Sequence, residues 1–213
     1  MEHLEATFEA IRARLEARNQ ARDLALAHSR TLIRHCANAI RAVHRLDWEE
    51  ARTLLREARE TGRLLLQAVQ PYGDLLYAGY TQDAFKELAE ACITYALIRG
   101  EPLPCPEDLG VEDAAYLNGL GEATGELRRH ALDLIRRGDI ARAEEILQVM
   151  DEVYAQLITV DFPDAVTGGL RRTTDMVRGV VERTRGDLTT AARQEELQRA
   201  LEHLERRLQQ GEP

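Results

Sequence analysis

Residues 4–44 read LEATFEAIRARLEARNQARDLALAHSRTLIRHCANAIRAVH, with neither glycine nor proline among them. Apolar side chains recur three and four residues apart, at Leu4, Phe8, Ile11 and Leu15, then at Leu24, Leu32, Cys36, Ile40 and Val43. That is the spacing of one helix face, so a single helix is predicted over about 1–46, far longer than most globular helices. At 1.5 Å per residue it is roughly 60 Å long, more than the width of a domain of this size. Part of it is therefore expected to meet another subunit, which makes the chain an expected oligomer.

The rest of the chain is punctuated just as clearly. Ala, Leu, Glu and Arg dominate and aromatic residues are only 5% of the total, which favours helix over strand. Asp47 with Glu50 three residues on has capping-box spacing and opens a second helix to about residue 69. Gln70-Pro71-Tyr72-Gly73 ends it, a short helical piece follows over 74–80, and Thr81 is expected to cap a helix that stops at Gly100. The three prolines within 101–110 mark a loop. Helices are predicted over 111–137, ended by Gly138, and from the Asp139 cap to about 159. Phe162-Pro163-Asp164 is the next break. A helix to Arg185-Gly186, a charged helix over 189–209 and a frayed tail at 210–213 complete the pattern. The expected fold is all-α: one domain over 1–213, a bundle of about seven helices with a very long first helix.

Several function classes drop out. No apolar run approaches the eighteen residues of a membrane span, and the first eighteen residues lack the apolar block of a secretory leader. Cys36, Cys92 and Cys105 are odd in number and far apart, which argues against a disulfide framework and structural zinc and for a cytoplasmic protein. No phosphate-loop, HExxH, GxSxG or GxGxxG pattern is present. The six histidines are scattered and read as solvent-facing or locally satisfied; Cys36 and Cys92 lie on apolar faces and read as packing. Tyr72, Tyr77 and Tyr80 cluster near a break, where they either stack on bases or pack a helix junction.

The net charge of −9 taken alone disfavours nucleic acid. Its distribution does not. Residues 1–47 hold eight Arg against six acids, and residues 163–186 five Arg against three. The acidity concentrates in 82–113, where eight acids face only Lys86, the one lysine of the chain, and Arg99, a local balance of −6. Arginine on the basic helices is a competent phosphate donor.

Within that acidic segment Glu87 and Glu90 lie three apart on one helix face, and Glu90 sits inside Leu88-Ala89-Glu90-Ala91-Cys92-Ile93. A lone carboxylate there is costly unless it is paired or binds a cation. The next long helix offers Glu122 and Glu126, four apart, separated by Ala123, Thr124 and Gly125, which permit close helix approach. Four carboxylates suit a hard cation, Mg²⁺ or Mn²⁺, rather than zinc. The competing reading is a solvated face, with Glu126 paired to Arg129 one turn on.

The run Asp164-Ala165-Val166-Thr167-Gly168-Gly169-Leu170-Arg171-Arg172-Thr173-Thr174-Asp175, continuing through Arg185-Gly186-Asp187, together with Thr124-Gly125-Glu126-Leu127, resembles the translin superfamily. The resemblance extends over nearly the whole chain, including the long first helix and the break at Pro71. Its two branches are translin and translin-associated factor X. Phe85-Lys86-Glu87-Leu88-Ala89-Glu90-Ala91 and Tyr116-Leu117-Asn118-Gly119 resemble the factor X branch; translin itself has non-acidic residues at the positions of Glu87 and Glu90. The chain departs from the branch at Glu122, where an aspartate is usual: the arm is one methylene longer and the charge is kept.

The resemblance implies a Mg²⁺-dependent endoribonuclease acting on single-stranded RNA inside a hollow homo-octameric shell, with Glu87, Glu90, Glu122 and Glu126 as metal ligands and catalytic groups. Arg128 and Arg129 are placed to orient phosphate, and Arg22 resembles a nucleic-acid contact on the first helix, with an ordinary surface charge as the alternative. A different class, a non-catalytic oligomer of translin type binding single-stranded RNA or DNA, differs by the absence of turnover. A scaffold with no nucleic-acid role is the third.

Overall fold

The computed structural model describes residues 1–210; residues 211–213, where most of the expected frayed tail falls, lie outside the described residues. The described residues form helices and connections with no strand. Six helices are long: α1 (Glu2–His44), α2 (Trp48–Val69), α4 (Gly79–Arg99), α6 (Asp113–Arg136), α7 (Ile140–Leu157) and α9 (Leu170–Gln210). Three are single turns: α3 (Gly73–Leu76), α5 (Pro106–Leu109) and α8 (Asp164–Thr167).

Several boundaries match their sequence signals. Asp47 accepts from the Glu50 amide at 3.1 Å and Asp139 from the Arg142 amide at 3.1 Å, each satisfying a free N–H of the first turn. Gly100 and Gly138 take φ values of 66° and 80°, the left-handed conformation that ends helices and that a side chain resists.

Three expectations fail for identifiable reasons. Thr81 does not cap; α4 begins at Gly79, and Thr81 Oγ1 donates instead to the Leu75 carbonyl at 2.8 Å, tying α4 to α3. The 101–110 loop contains α5, started by Pro106, whose fixed φ suits a first helical position. Gly186 does not end a helix: α9 runs through it, because Leu188 and Thr184 are buried on either side and Asp187 pairs with Arg128 at 2.8 Å rather than capping. A mid-helix glycine costs about 1 kcal/mol, which those contacts offset.

Helix α4 occupies the centre, packed against α1, α2 and α6, while α6 also meets α7 and α9. Its Phe85, Leu88, Ile93 and Ala89 are sealed from solvent on different faces, so α4 lacks the polar stripe of a surface helix. Cys36 and Cys92 belong to this core, where burial pushes both thiols up. Buried residues of α1 start only at Ala21. The first five turns project from the bundle, with Leu4, Phe8 and Leu15 exposed, and on the distal part of α9 Leu197, Leu201 and Leu204 are likewise exposed. No described helix is long and apolar enough to cross a membrane.

Candidate metal centre and the clefts beside it

The site is built where α4 and α6 come closest. A Cβ at Gly119 would lie 2.7 Å from the Lys86 carbonyl oxygen and 2.9 Å from the Glu90 amide. Only glycine lets the two backbones approach this far. Ala89 and Ala123, both fully buried, keep the seam narrow. The consequence is that a carboxylate leaving α4 meets one leaving α6 with no bulky residue between them.

Glu87, Glu90 and Glu122 converge there: one carboxylate oxygen from each lies within 4.8 Å of the others, and this is the one such group of three among the described residues. Glu90 is 9% exposed, and Glu87 and Glu122 are half-buried. Burial first, then repulsion from Glu87, Glu122 and Glu126, pushes the Glu90 carboxyl up to about 8. Burial also raises Glu87, against the opposing pull of Lys86. Lys86 stands at this focus, and its Nζ donates to Glu122 Oε1 at 2.7 Å. Three oxygens this close, one of them in an apolar wall and resisting ionisation, form a donor set that a hard divalent cation fits. The oxygen-only composition excludes a soft-metal site.

Glu126 is separated from this trio by its partner. His44, at the C-terminal end of α1, donates from Nε2 to Glu126 Oε2. That bond holds the Glu126 carboxyl below its usual range, with the Arg129 charge assisting more weakly. The His44 side chain is 4% exposed and its Nδ1 has no partner among the described residues. Glu126 still adds to the field on Glu90. The four glutamates are therefore neighbours, but only three share one focus. His44 carries no sequence signal: it lies 82 residues from Glu126 and is one of six scattered histidines. Only the return of α6 past the end of α1 reveals it.

Arg129 is not paired with Glu126 by a close contact. It is exposed and lines an open cleft of about 670 Å³ together with Arg41, His44, Arg45, Arg128 and Arg136. Arg128 is fastened to α9, with Nη2 to Asp187 at 2.8 Å and Nη1 to Thr184 at 3.1 Å. Arg45 pairs with Glu50 and Arg136 with Asp133, while Arg41 donates to Asn38. Positive charge thus collects on the His44 side of the carboxylates. Arg22 does not join it: it sits roughly 33 Å along the α1 axis from His44 and pairs with its neighbour Asp23 at 3.2 Å.

On the Glu122 side lies a second cleft, of about 890 Å³, at the junction of α4, α6, α8 and α9. Of the three tyrosines near the Pro71 break, Tyr72 and Tyr80 pack against the core, whereas Tyr77 is 66% exposed on this cleft.

The carboxylate trio thus sits on the central helix pair of an all-α bundle with a long first helix. The translin family model matches residues 1–185, and the chain belongs to the translin family. An uncharacterized protein of Methanocaldococcus jannaschii is 29% identical over 194 residues, covering 90% of this chain and 84% of that one. The crystal structure of AfC3PO superposes with a TM-score of 0.81 at 36% identity, covering 87% of this chain and 97% of that chain. The AfC3PO–duplex RNA complex superposes at 0.77 with 37% identity, over 87% and 96% of the two chains. Apo-NeC3PO, at 19% identity and a TM-score of 0.80 over 86% and 96%, shares the fold. The family match ends inside α9, so its distal turns lie beyond it.

Proposed function

We propose that this protein is a Mg²⁺- or Mn²⁺-dependent endoribonuclease of the factor X type, acting on single-stranded RNA within a homo-octameric shell. The observation that carries the reading is the Glu87–Glu90–Glu122 focus, in which a buried carboxyl is lifted to about 8 by burial and by its neighbours. Such a group is relieved by a bound cation. When bound, the ion supplies activation of a water and neutralisation of charge growing on the scissile phosphate. Glu87, Glu90 and Glu122 would hold it. Lys86 donates to Glu122 Oε1, and a carboxylate has a second oxygen that would be open to the ion. Glu126, kept ionised by His44, stands next to the trio as the fourth acidic group. Arg129 and Arg128, with Arg41, Arg45 and Arg136, offer donors to the strand's phosphates.

RNA as the ligand is supported by the relative at 37% identity whose structure is a duplex RNA complex. Assembly is supported by the first turns of α1, whose Leu4, Phe8 and Leu15 are exposed. A second reading, a non-catalytic binder of single-stranded RNA or DNA, is favoured by the Lys86–Glu122 ion pair, which balances one carboxylate without metal.

The deciding experiment incubates the purified protein with single-stranded RNA in Mg²⁺ and in EDTA, beside Glu90→Ala. Cleavage in Mg²⁺ that both EDTA and the substitution abolish is the expected result. Salt-sensitive binding without turnover assigns the second reading.

A further inference from the structure

We propose that the 890 Å³ cleft on the Glu122 side of the carboxylate trio is a nucleobase pocket that prefers bases bearing an exocyclic amine over uracil; this rests on the RNA reading above. Three features of the cleft carry the inference. First, it offers an aromatic face: Tyr77 is 66% exposed there, although aromatic rings are scarce in this chain and the neighbouring Tyr72 and Tyr80 are packed away. Val166, equally exposed at 66%, and Met176 line the same space. A ring with a free face beside apolar surface stacks on any base.

Second, the polar lining excludes phosphate and favours donors. Asp83, Glu112 and Asp113 line the cleft, and their carboxylates accept no hydrogen bond from any described residue. With Glu122 they outnumber the cations Lys86 and Arg172, and Lys86 is already tied to Glu122. A phosphodiester is repelled here and drawn to the arginine cleft on the other side. An ionised carboxylate only accepts, so it favours a base edge that presents N–H groups. Cytosine offers N4–H₂ and adenine N6–H₂. Uracil's one N3–H is flanked by two carbonyl oxygens that face the same negative charge.

Third, the cleft is built and adjoins the chemistry. Glu122 belongs both to it and to the carboxylate trio. The α6–α8–α9 side of the cleft is pinned: Asn118 Nδ2 donates to the Thr167 carbonyl at 2.8 Å, and Thr173 Oγ1 donates to Asn118 Oδ1 at 2.6 Å. Gly168 and Gly169, at φ 61° and 86°, let the chain turn from α8 into α9 at this wall. A strand whose phosphates follow the arginines past the trio thus delivers a flanking base to Tyr77.

The test is binding of end-labelled oligo(C) and oligo(U) of equal length to the full chain in EDTA at low salt, read by fluorescence anisotropy. The two pyrimidines have the same ring size and differ on the edge that the carboxylates would read. Oligo(C) is expected to bind several-fold more tightly. Tyr77→Ala is expected to weaken both by roughly five-fold or more, with Tyr77→Phe restoring them. Asp83→Ala combined with Asp113→Ala is expected to bring the oligo(C)/oligo(U) ratio close to one, even as lost repulsion tightens both. Equal binding of the two oligonucleotides, an unchanged affinity in Tyr77→Ala, or a ratio insensitive to the double substitution each overturns the pocket while leaving the nuclease reading intact. No binding of either oligonucleotide overturns both. Because no metal is present, absence of turnover does not enter the readout.

Discussion

Glu90 and Glu126 belong to the same pair of packed helices and carry the same side chain, yet the fold moves their acidities in opposite directions. Glu90 is buried among carboxylates and pushed up to about 8, whereas Glu126 receives the His44 proton donor and is held below its usual range. The difference lies in what the third helix supplies. Where α1 packs on α4 it contributes apolar side chains, such as Leu32, Cys36 and Ile40. Where α1 ends, it contributes an imidazole. One side of the seam is thereby left in need of a cation, and the other is balanced by the protein itself.

The largest disturbance of this contrast comes from closing the gap that creates it. Gly119→Val puts side-chain carbons against the Lys86 carbonyl and the Glu90 amide, which are backbone and cannot rotate away. The expected loss is about 3 kcal/mol of stability, the upper part of the range for overpacking, together with loss of Mn²⁺ binding. Chemical denaturation and calorimetric titration measure the two. Metal binding at native strength in a fully stable variant would show that the seam does not set the site.

Next in size is the pH response of Glu90. Its folded pKa lies above the unfolded value, so its contribution favours folding below about pH 4.5 and is lost as pH rises toward 8. The metal-free protein is therefore expected to lose melting temperature between pH 5 and 8, and Mn²⁺ to restore more of it at pH 8 than at pH 6, since binding must displace the proton. Glu90→Gln removes the penalty. At about 1.4 kcal/mol per pKa unit, and with Lys86 and solvent relaxing much of the cost, a gain of about 2 kcal/mol at pH 8 is expected, with the Mn²⁺ effect gone. A flat melting profile across this range would contradict the burial argument.

The smallest expected effect falls on the balanced side. His44→Ala removes a charge-assisted hydrogen bond and is expected to cost about 1–2 kcal/mol, with Glu126 returning toward an ordinary carboxyl acidity. His44→Gln, which keeps a donor, should recover most of the stability. Side-chain carboxyl titration by NMR reads Glu126 directly. An unmoved Glu126 in His44→Ala would assign its acidity to Arg129 instead.

Some of this was legible in the linear chain. Asp47, Asp139, Gly100 and Gly138 announce helix ends because capping and positive φ are local requirements, met within a few residues of chain. The same reasoning misled at Gly186 and Thr81, where contacts from α6 and α3 outweighed the local preference. Glu87 and Glu90 stood out because an acid within an apolar run demands a distant partner, though the run alone cannot name it. Arg128, read as a phosphate donor, is first of all a brace to Asp187 and Thr184. Tyr77 could not be told from Tyr72 and Tyr80, since exposure is decided by what packs over a ring.

The apolar spacing of residues 4–44, free of glycine and proline, determined a first helix too long for its own bundle, and composition with the cap and break signals of the remaining chain determined an all-helical protein, because these preferences act over neighbouring residues. The acidic pattern of α4 and α6 likewise determined which chemistry was available. Only the tertiary structure decided that three glutamates meet while the fourth turns to His44, and that arginines gather on one flank and a free tyrosine on the other. Those outcomes depend on how closely Gly119 lets two helices approach and on where α1 happens to end. Such distances arise between residues far apart in the chain, and no local rule encodes them.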